Sequence, residues 1–345
     1  MNILFVTGNL SAIGGIQEYN RNFLRALEEL SIPNKVISIK FGGYIGRIVF
    51  LFGFLWRIIF SRPKFIIFSH INFYPLGVPA HLLGIRYAVI TYGIDVWDLN
   101  NKKRKFLSKA ARIVTISRFT EEKMVQQDVD PAKLFILPPS INGDKFYPKE
   151  KRKDLVERYG LEGKKVVLTV ARLSKNEGYK GYDVVIESLP EIIKKVPNVK
   201  YLLVGEGDDL WRLEKLVRER ELEDVVVFCG HVGDDLVDYY NLCDAFVMPS
   251  KKEGFGIVFL EALACGKPVV AGDQDASREA IQEKLGFLVN SDNAKEVGGA
   301  IISTLKNVAS KNVFNGEMLR AKTLEIFGFP VFVNRIRVLF NECQK

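Results

Sequence analysis

Short runs of apolar, β-branched and aromatic residues alternate with stretches of helical spacing along nearly the whole chain. In the first half the runs are Ile3–Thr7, Lys35–Ile39, Phe65–Ser69, Tyr87–Thr91, Ile113–Ile116 and Leu134–Leu137. In the second half they are Lys165–Val170, Lys200–Val204, Val225–Cys229, Ala245–Met248, Pro268–Ala271 and Phe287–Val289. Most are followed by a helical pattern. Apolar runs of this length, alternating with helices, predict parallel sheets covered by helices on both faces. The expected class is α/β.

The alternation breaks once, at "LPPSINGDKFYPKEKRKDLVERYG", Leu137 to Gly160. Its prolines, Asn-Gly step and basic run mark a linker. The expected organisation is a Rossmann-like domain over 1–145, joined by a C-terminal helix over 328–345, and a second Rossmann-like domain over 146–327. Ligands of such sheets bind beyond the carboxyl ends of the strands, here expected in a deep cleft between the halves.

One segment requires a membrane test: "YIGRIVFLFGFLWRIIFSRPK", Tyr44 to Lys64. Its uninterrupted apolar stretch, Ile48 to Trp56, lies between Arg47 and Arg57 and is only nine residues long. A spanning helix takes about 20 apolar residues, so a spanning role is rejected. Two readings of a helix over 44–60 stay open: one packed against a sheet, and an arginine-flanked face resting on a membrane.

Composition narrows the picture modestly. The chain has 345 residues, 48% hydrophobic and 26% charged, which fits a globular protein too long for one small core. A formal net charge of +8 points to an anionic partner without naming it. No nucleic-acid-binding module is recognisable, so nucleic acid is not an expected partner. Cys229, Cys243, Cys265 and Cys343 show no metal-ligand spacing and read as buried thiols in a reducing compartment. The strand-like run at "MNILFVTGNL" leaves no room for a signal peptide. The expected location is the cytoplasm, with peripheral contact at the inner face of the cell membrane left open.

Three stretches carry anion-binding chemistry. In the first, Gly14 and Gly15 precede a helix, where backbone N–H groups can approach a phosphate. In the second, "LTVARLSKNEGYKGYDVV", Arg172 ends a strand and Lys180 precedes a helix. A planar guanidinium and a compact ammonium at one sheet edge suit a diphosphate. In the third, "SKKEGFGIVFLEALACGKP", Gly254 and Gly256 mark a helix start. The N–H groups of Phe255, Gly256 and Ile257 would point at a negative charge. Glu253 and Glu261 stand eight residues apart, roughly 12 Å if the spacing is helical. That is too far for the close pair of a retaining hydrolase, about 5–5.5 Å apart, and fits two ends of one ligand better.

Together these residues resemble the retaining GT-B glycosyltransferases, family 4. The resemblance covers nearly the whole chain and is most specific in "PSKKEGFGIVFLEALACGKPVVA", which holds the E-x7-E pattern at Glu253 and Glu261. "ARLSKNEGYKG", "LLVGEGDDLWRLEKL", "VVFCGHV", "CDAFVMPS", "GGIQEYNRNFLRAL" and "INGDKF" stand around it in order. The resemblance implies transfer of a hexose from a GDP- or UDP-sugar to a hydroxyl of a glycan or lipid-linked acceptor, with retention. By the same resemblance Arg172 and Lys180 contact the diphosphate and Glu253 holds the transferred sugar beside the Phe255 and Gly256 amides. Glu261 binds the ribose, Gly15 approaches the phosphate, and backbone near Gly230 and His231 faces the base. The final helix crosses back to the N-terminal domain.

With cations in place no cofactor is called for, and a divalent metal is unnecessary. The Asp-x-Asp at Asp273 and Asp275 lies in a loop after a strand and is not assigned a metal. One departure concerns "ITYGIDVWD": the family often has histidine where this chain has Tyr92. Tyrosine donates a hydrogen bond but is a poor base near neutral pH, so no general base is assigned. Asp95 and His70 are further acceptor-side candidates; His70 has a structural alternative, and His81 has no role. Two other readings stay open. A nucleotide-sugar epimerase shares the architecture, and a non-catalytic sugar-nucleotide-binding subunit would bind donor without turnover.

Overall fold

The computed structural model describes residues 2–12, 14–39, 43–282, 285–306 and 315–344. Twelve strands form two parallel six-stranded sheets. The first contains β1 (Ile3–Thr7), β2 (Asn34–Ser38), β3 (Phe65–Phe68), β4 (Arg86–Thr91), β5 (Arg112–Thr115) and β6 (Leu134–Ile136). The second contains β7 (Lys165–Val170), β8 (Val199–Val204), β9 (Val226–Gly230), β10 (Ala245–Met248), β11 (Val269–Gly272) and β12 (Gly286–Val289). Every strand read from the apolar runs is present, with ends within one residue. The central strands are covered on both faces: all residues of β1, β3, β10 and β11 are buried. Continuous apolar runs such as "FIIF" are stable only in such a place.

The chain divides into two units. One runs to Ser140 and resumes at Phe329; the other is Ile141–Gly328. The first sheet has the order β2-β1-β3-β4-β5-β6, the second β12-β11-β10-β7-β8-β9. Each order reverses direction once, between β1 and β3 in the first and between β7 and β10 in the second. Connections leave such a pair of strands in opposite directions, so a crevice opens at their carboxyl ends. Each unit is thus a doubly wound α/β fold of the expected Rossmann-like kind.

Within unit 1 the helix Gly15–Glu29 buries Tyr19, Phe23, Ala26 and Leu27, a helical stripe. The last helix, Phe329–Gln344, belongs to the same unit and packs there: the Phe332 ring meets Tyr19 and Phe23 edge-on. The Arg25 guanidinium lies 4.3 Å from the centre of the Phe329 ring.

The segment after β2 departs from expectation. A helix over Gly43–Trp56 continues as a π turn over Arg57–Ser61. Within these 19 residues an 18-residue window has a mean hydropathy of 1.6, long and apolar enough to cross a membrane by length and composition. Counting only the nine-residue run was therefore too strict. What argues against spanning is connectivity. The helix is the crossover between β2 and β3, and both strands pair with β1 in one sheet. A narrow stripe, Phe50, Phe54 and Ile58, packs on the core with Leu4, Ile37 and Phe68. Most of the rest of the helix surface is exposed, including Ile45, Phe52 and Trp56.

The stretch read as a linker is only partly one. Lys153–Arg158 is a helix with Leu155 buried. Its basic run is held by ion pairs within unit 2. Lys149 pairs with Asp238 at 2.6 Å, Arg152 with Asp235 and Asp238, and Lys151 with Asp244.

Candidate active site

In unit 2 the crevice between β7 and β10 gathers the charged residues. The chain leaves β7 through Arg172 into a 3-10 turn, Lys175–Lys180. This turn is tied to the loop after β10, because the Lys251 N–H donates to the Tyr179 carbonyl at 3.0 Å. Gly181 closes it at φ 81°, and a Cβ there would overlap the Pro249 carbonyl oxygen. Only glycine lets the two loops lie this close. The result places the Lys180 ammonium 2.6 Å from Glu253 Oε1. Both side chains are largely buried. Burial pulls the Lys180 ammonium down, but the charge and hydrogen bond of Glu253 outweigh it and hold it above its ordinary range.

Glu177 completes the group. Its Oε1 accepts from Arg172 Nη1 at 3.0 Å, and its Oε2 lies 3.9 Å from Lys180 Nζ. The Arg172 side chain is 67% exposed, so most of its guanidinium donors face outward. Glu253 is fixed from behind: its backbone N–H donates to Asp275 Oδ2 at 2.6 Å, and the Ser277 N–H donates to Asp275 Oδ1. Burial pushes the Asp275 carboxyl up to about 6, opposed by those two N–H groups. Asp275 thus serves the backbone of the glutamate loop.

The helix Ile257–Ala264 starts at Gly256, whose φ is 87°; a Cβ there would overlap the Phe259 ring. Only the second half of the Glu253-to-Glu261 spacing is therefore helical, and the 12 Å reading does not apply as it stands. Among the described residues, the N–H groups of Phe255, Gly256 and Ile257 have no hydrogen-bond acceptor. Phe255 itself is buried, its ring edge-on to Phe327. Glu261 lies on the buried side of the helix, and its Oε2 accepts from the Tyr240 hydroxyl at 2.7 Å. Gly230 ends β9 at φ 68°, and the His231 N–H donates to Glu206 Oε1. Among the described residues no group of three His, Cys, Asp or Glu side chains could hold a metal ion.

In unit 1 the reversal between β1 and β3 opens a pocket of about 750 Å³, within the range of ligand sites. Thr7, Gly8 and Asn9 line it from the end of β1, and Ser69 and His70 from the end of β3. Of the candidates His70, Tyr92 and Asp95, His70 lines the pocket and the other two stand beside it. The His70 ring stacks on Tyr92 at 5.8 Å, and His70 Nε2 is 3.9 Å from Asp95 Oδ2. His70 Nδ1 accepts from the Asn72 N–H, so the ring proton sits on Nε2. Burial, then the Lys103 charge, pull the imidazole down to about 4. The Tyr92 hydroxyl already donates to Asn20 Oδ1 at 2.7 Å, and burial raises it well above its ordinary range. Asp95 Oδ1 accepts from the Tyr92 N–H, while Oδ2 is buried with no hydrogen bond. Burial raises that carboxyl to about 7. In the same unit Gly14 caps the Gly15–Glu29 helix, and nothing among the described residues lies within 4 Å of where a Gly15 Cβ would stand.

With this geometry in view, residues 151–316 match the family model for glycosyl transferases group 1. Unit 2 carries a group 1 glycosyltransferase domain. The chain is similar to the GDP-mannose-dependent alpha-(1-6)-phosphatidylinositol monomannoside mannosyltransferase of Mycolicibacterium smegmatis, 33% identical over 242 residues. That match covers 66% of this chain and 63% of the relative, so the chain aligns with less than two thirds of that protein's length. Among solved structures it resembles Anabaena HepE in complex with UDP, with a TM-score of 0.80 at 18% identity over 99% of this chain and 100% of the other. Sucrose-phosphate synthase from Thermosynechococcus elongatus gives a TM-score of 0.82 at 20% identity over 99% and 98%. These two likenesses establish the GT-B fold.

The glycosyltransferase domain contains three site residues that the sequence did not single out for these roles: Glu177, Tyr240 and Asp275. Glu177 stood in view, three positions before Lys180. Asp275 was noticed only as half of an Asp-x-Asp to which no role was given. Tyr240 gave no local signal.

Proposed function

We propose that this chain is a retaining, metal-independent glycosyltransferase that moves a hexose from a GDP- or UDP-sugar to an acceptor hydroxyl. The observation that carries the proposal is the convergence of Lys180, Arg172 and Glu253 on the β7–β10 crevice, beside the helix start at Gly256. An ammonium has three N–H donors and a guanidinium five. Glu253 and Glu177 each engage one of them, so the ion pairs orient the cations and leave donors for two phosphates. Breaking the anomeric bond puts negative charge on the departing diphosphate. Lys180, Arg172 and the amides of Phe255, Gly256 and Ile257 are preorganised to receive it, which is where electrostatic catalysis is strongest.

The departing phosphate oxygen then takes the proton of the attacking hydroxyl on the same face of the sugar, so no protein nucleophile is needed. Glu253 holds hydroxyls of the transferred sugar and Glu261 the ribose. Gly230 and His231 meet the base, and Gly14 and Gly15 the diphosphate. Neither Tyr92 nor His70 is assigned as a base: the tyrosine hydroxyl is committed to Asn20, and the histidine presents its protonated nitrogen. They shape the acceptor side with Asp95. The names of the relatives support either nucleotide, since one cites GDP-mannose and the other was solved with UDP. The mycolicibacterial name also supports a lipid-linked acceptor, reached by peripheral membrane contact.

The test is to incubate the chain with GDP-mannose or UDP-glucose and a panel of glycan and lipid acceptors, reading the anomeric configuration of the product by NMR. The proposal expects an α-linked product from an α-linked donor, insensitive to EDTA. A new nucleotide sugar formed from donor alone would instead establish an epimerase. Donor binding that survives Glu253→Ala, with no turnover, would establish a binding subunit.

A further inference from the structure

The helix Gly43–Ser61 combines three features. Its outward surface is apolar: Ile45 is 78% exposed, Phe52 68% and Trp56 64%, and Ile48, Val49 and Phe60 add to them. A single exposed leucine is ordinary, but a continuous apolar surface on one helix marks an interaction site. The second feature is charge. Between Glu29 and Asp95 the sequence contains no Asp or Glu, while it contains Lys35, Lys40, Arg47, Arg57, Arg62, Lys64 and Arg86. Among the described residues Arg47, Arg57, Arg62 and Lys64 form no ion pair. A helix whose outward surface is apolar and whose charged residues, Arg47 and Arg57, are both cationic is complementary to an anionic bilayer, into which the rings insert while the arginines reach the head groups.

The third feature joins this surface to the site. Arg47, Phe50 and Leu51 fall on one flank of the helix, and all three line the pocket at the β1–β3 reversal. Across from them stand Phe73 and Leu76, with Phe73 packed on Phe50 at 5.7 Å between ring centres. Polar Asn9, Gln17, Asn20 and His70 line the same pocket. It therefore offers hydrogen-bonding groups for a head group, apolar walls for the root of a lipid tail, and between them an exposed guanidinium suited to a phosphate.

We propose that the helix Gly43–Ser61 seats unit 1 on an anionic bilayer, and that a membrane lipid enters the adjoining pocket by its head group, with Arg47 meeting its phosphate. In terms of the function proposed above, which this inference rests on for its purpose, the acceptor is a phosphate-bearing lipid taken directly from the membrane surface.

The experiment uses the full chain, vesicles of phosphatidylcholine with and without phosphatidylglycerol, and no sugar donor. Flotation is expected to show binding that requires phosphatidylglycerol and falls at least about tenfold in Phe52→Ser/Trp56→Ser, positions whose exposure leaves the fold intact. Hydrogen exchange on the vesicles is expected to slow in 43–61 and in 70–76 across the pocket. Arg47→Ala is expected to weaken vesicle binding by about fivefold, the share of one surface arginine, and to abolish the slowing at 70–76. Free glycerol phosphate is expected to leave exchange unchanged.

Four results would overturn the proposal. They are no vesicle binding, equal binding to neutral vesicles, slowing confined to 43–61, and a self-associated chain that the Phe52/Trp56 variant dissociates, which would mean a second copy covers the face. Since no donor is present, none of these outcomes bears on the donor site, and failure of donor binding would leave the vesicle result standing.

Discussion

The Lys180–Glu253 pair makes a quantitative demand. At 2.6 Å, with side chains 16% and 14% exposed, the gross attraction is about 6 kcal/mol at an effective dielectric near 20. Desolvation of both groups offsets much of it, so the pair's net contribution is small, whereas leaving one partner alone costs about 3–5 kcal/mol. The variants are Lys180→Met, Glu253→Gln and the double variant, with stability measured by urea unfolding. Each single change is expected to destabilise by ~3 kcal/mol, and the double by much less than their sum, giving a coupling of ~2–3 kcal/mol. The same cycle on Arg172 and Glu177, where the arginine is 67% exposed, is expected to give less than ~1 kcal/mol. A Lys180–Glu253 coupling below ~0.5 kcal/mol, or equal values for the two pairs, would refute the reasoning that burial makes this pair the fixed point of the site.

Other predictions follow from the same geometry. Asp275, raised from 3.8 to about 6 by burial, is ionised and able to hold the glutamate loop only above that pH. The rate is expected to fall on the acid side near pH 6, and Asp275→Asn to lower the rate and erase that limb; a limb unchanged in the variant contradicts the role. Because the folded value lies above the unfolded one, Asp275 holds a proton between about pH 4 and 6 that the unfolded chain has released. Its contribution to stability is thus full below that window and is lost as pH rises through it. Tyr240→Phe removes the donor to Glu261 Oε2 and is expected to cost ~1–3 kcal/mol of stability and to raise the KM for donor more than it lowers kcat. Gly181→Ala combines φ 81° with overlap on Pro249. It is expected to cost at least ~1–3 kcal/mol and to lower kcat by displacing Lys180, which an unchanged melting temperature would rule out.

How much of this was legible in the sequence depended on the range of the interactions. Strands such as Phe65–Phe68 and Ala245–Met248 announce themselves because burial on both faces demands unbroken apolar runs. The anion-binding stretches were legible because glycines and strand ends are local features. What joins them is not local. Lys180 meets Glu253 only because β7 pairs with β10, 78 positions apart at Val167 and Ala245, and no periodicity encodes a sheet order. Asp275 and Tyr240 act through contacts 22 and 21 positions away for the same reason. The helix Gly43–Ser61 shows a different limit. Its hydropathy is the same whether its faces are covered or bare, so only the fold reveals that one stripe is buried and most of the rest is open. Likewise the basic run Lys149–Lys153 looked like part of a linker until its partners Asp235 and Asp238, more than 80 positions on, were in place.

The central claim is that unit 2 holds a nucleotide-diphosphate sugar at the β7–β10 crevice, and calorimetric titration of the full chain with GDP-mannose and UDP-glucose tests it most directly. The account predicts that one of the two binds and stabilises the chain in proportion to its occupancy, about 2.7 kcal/mol at a hundredfold excess over Kd. It also predicts that Arg172→Ala and Glu261→Ala each weaken that binding at least about tenfold, the loss of a charge-assisted hydrogen bond. Binding of neither nucleotide sugar, or binding that both variants leave unchanged, would contradict it.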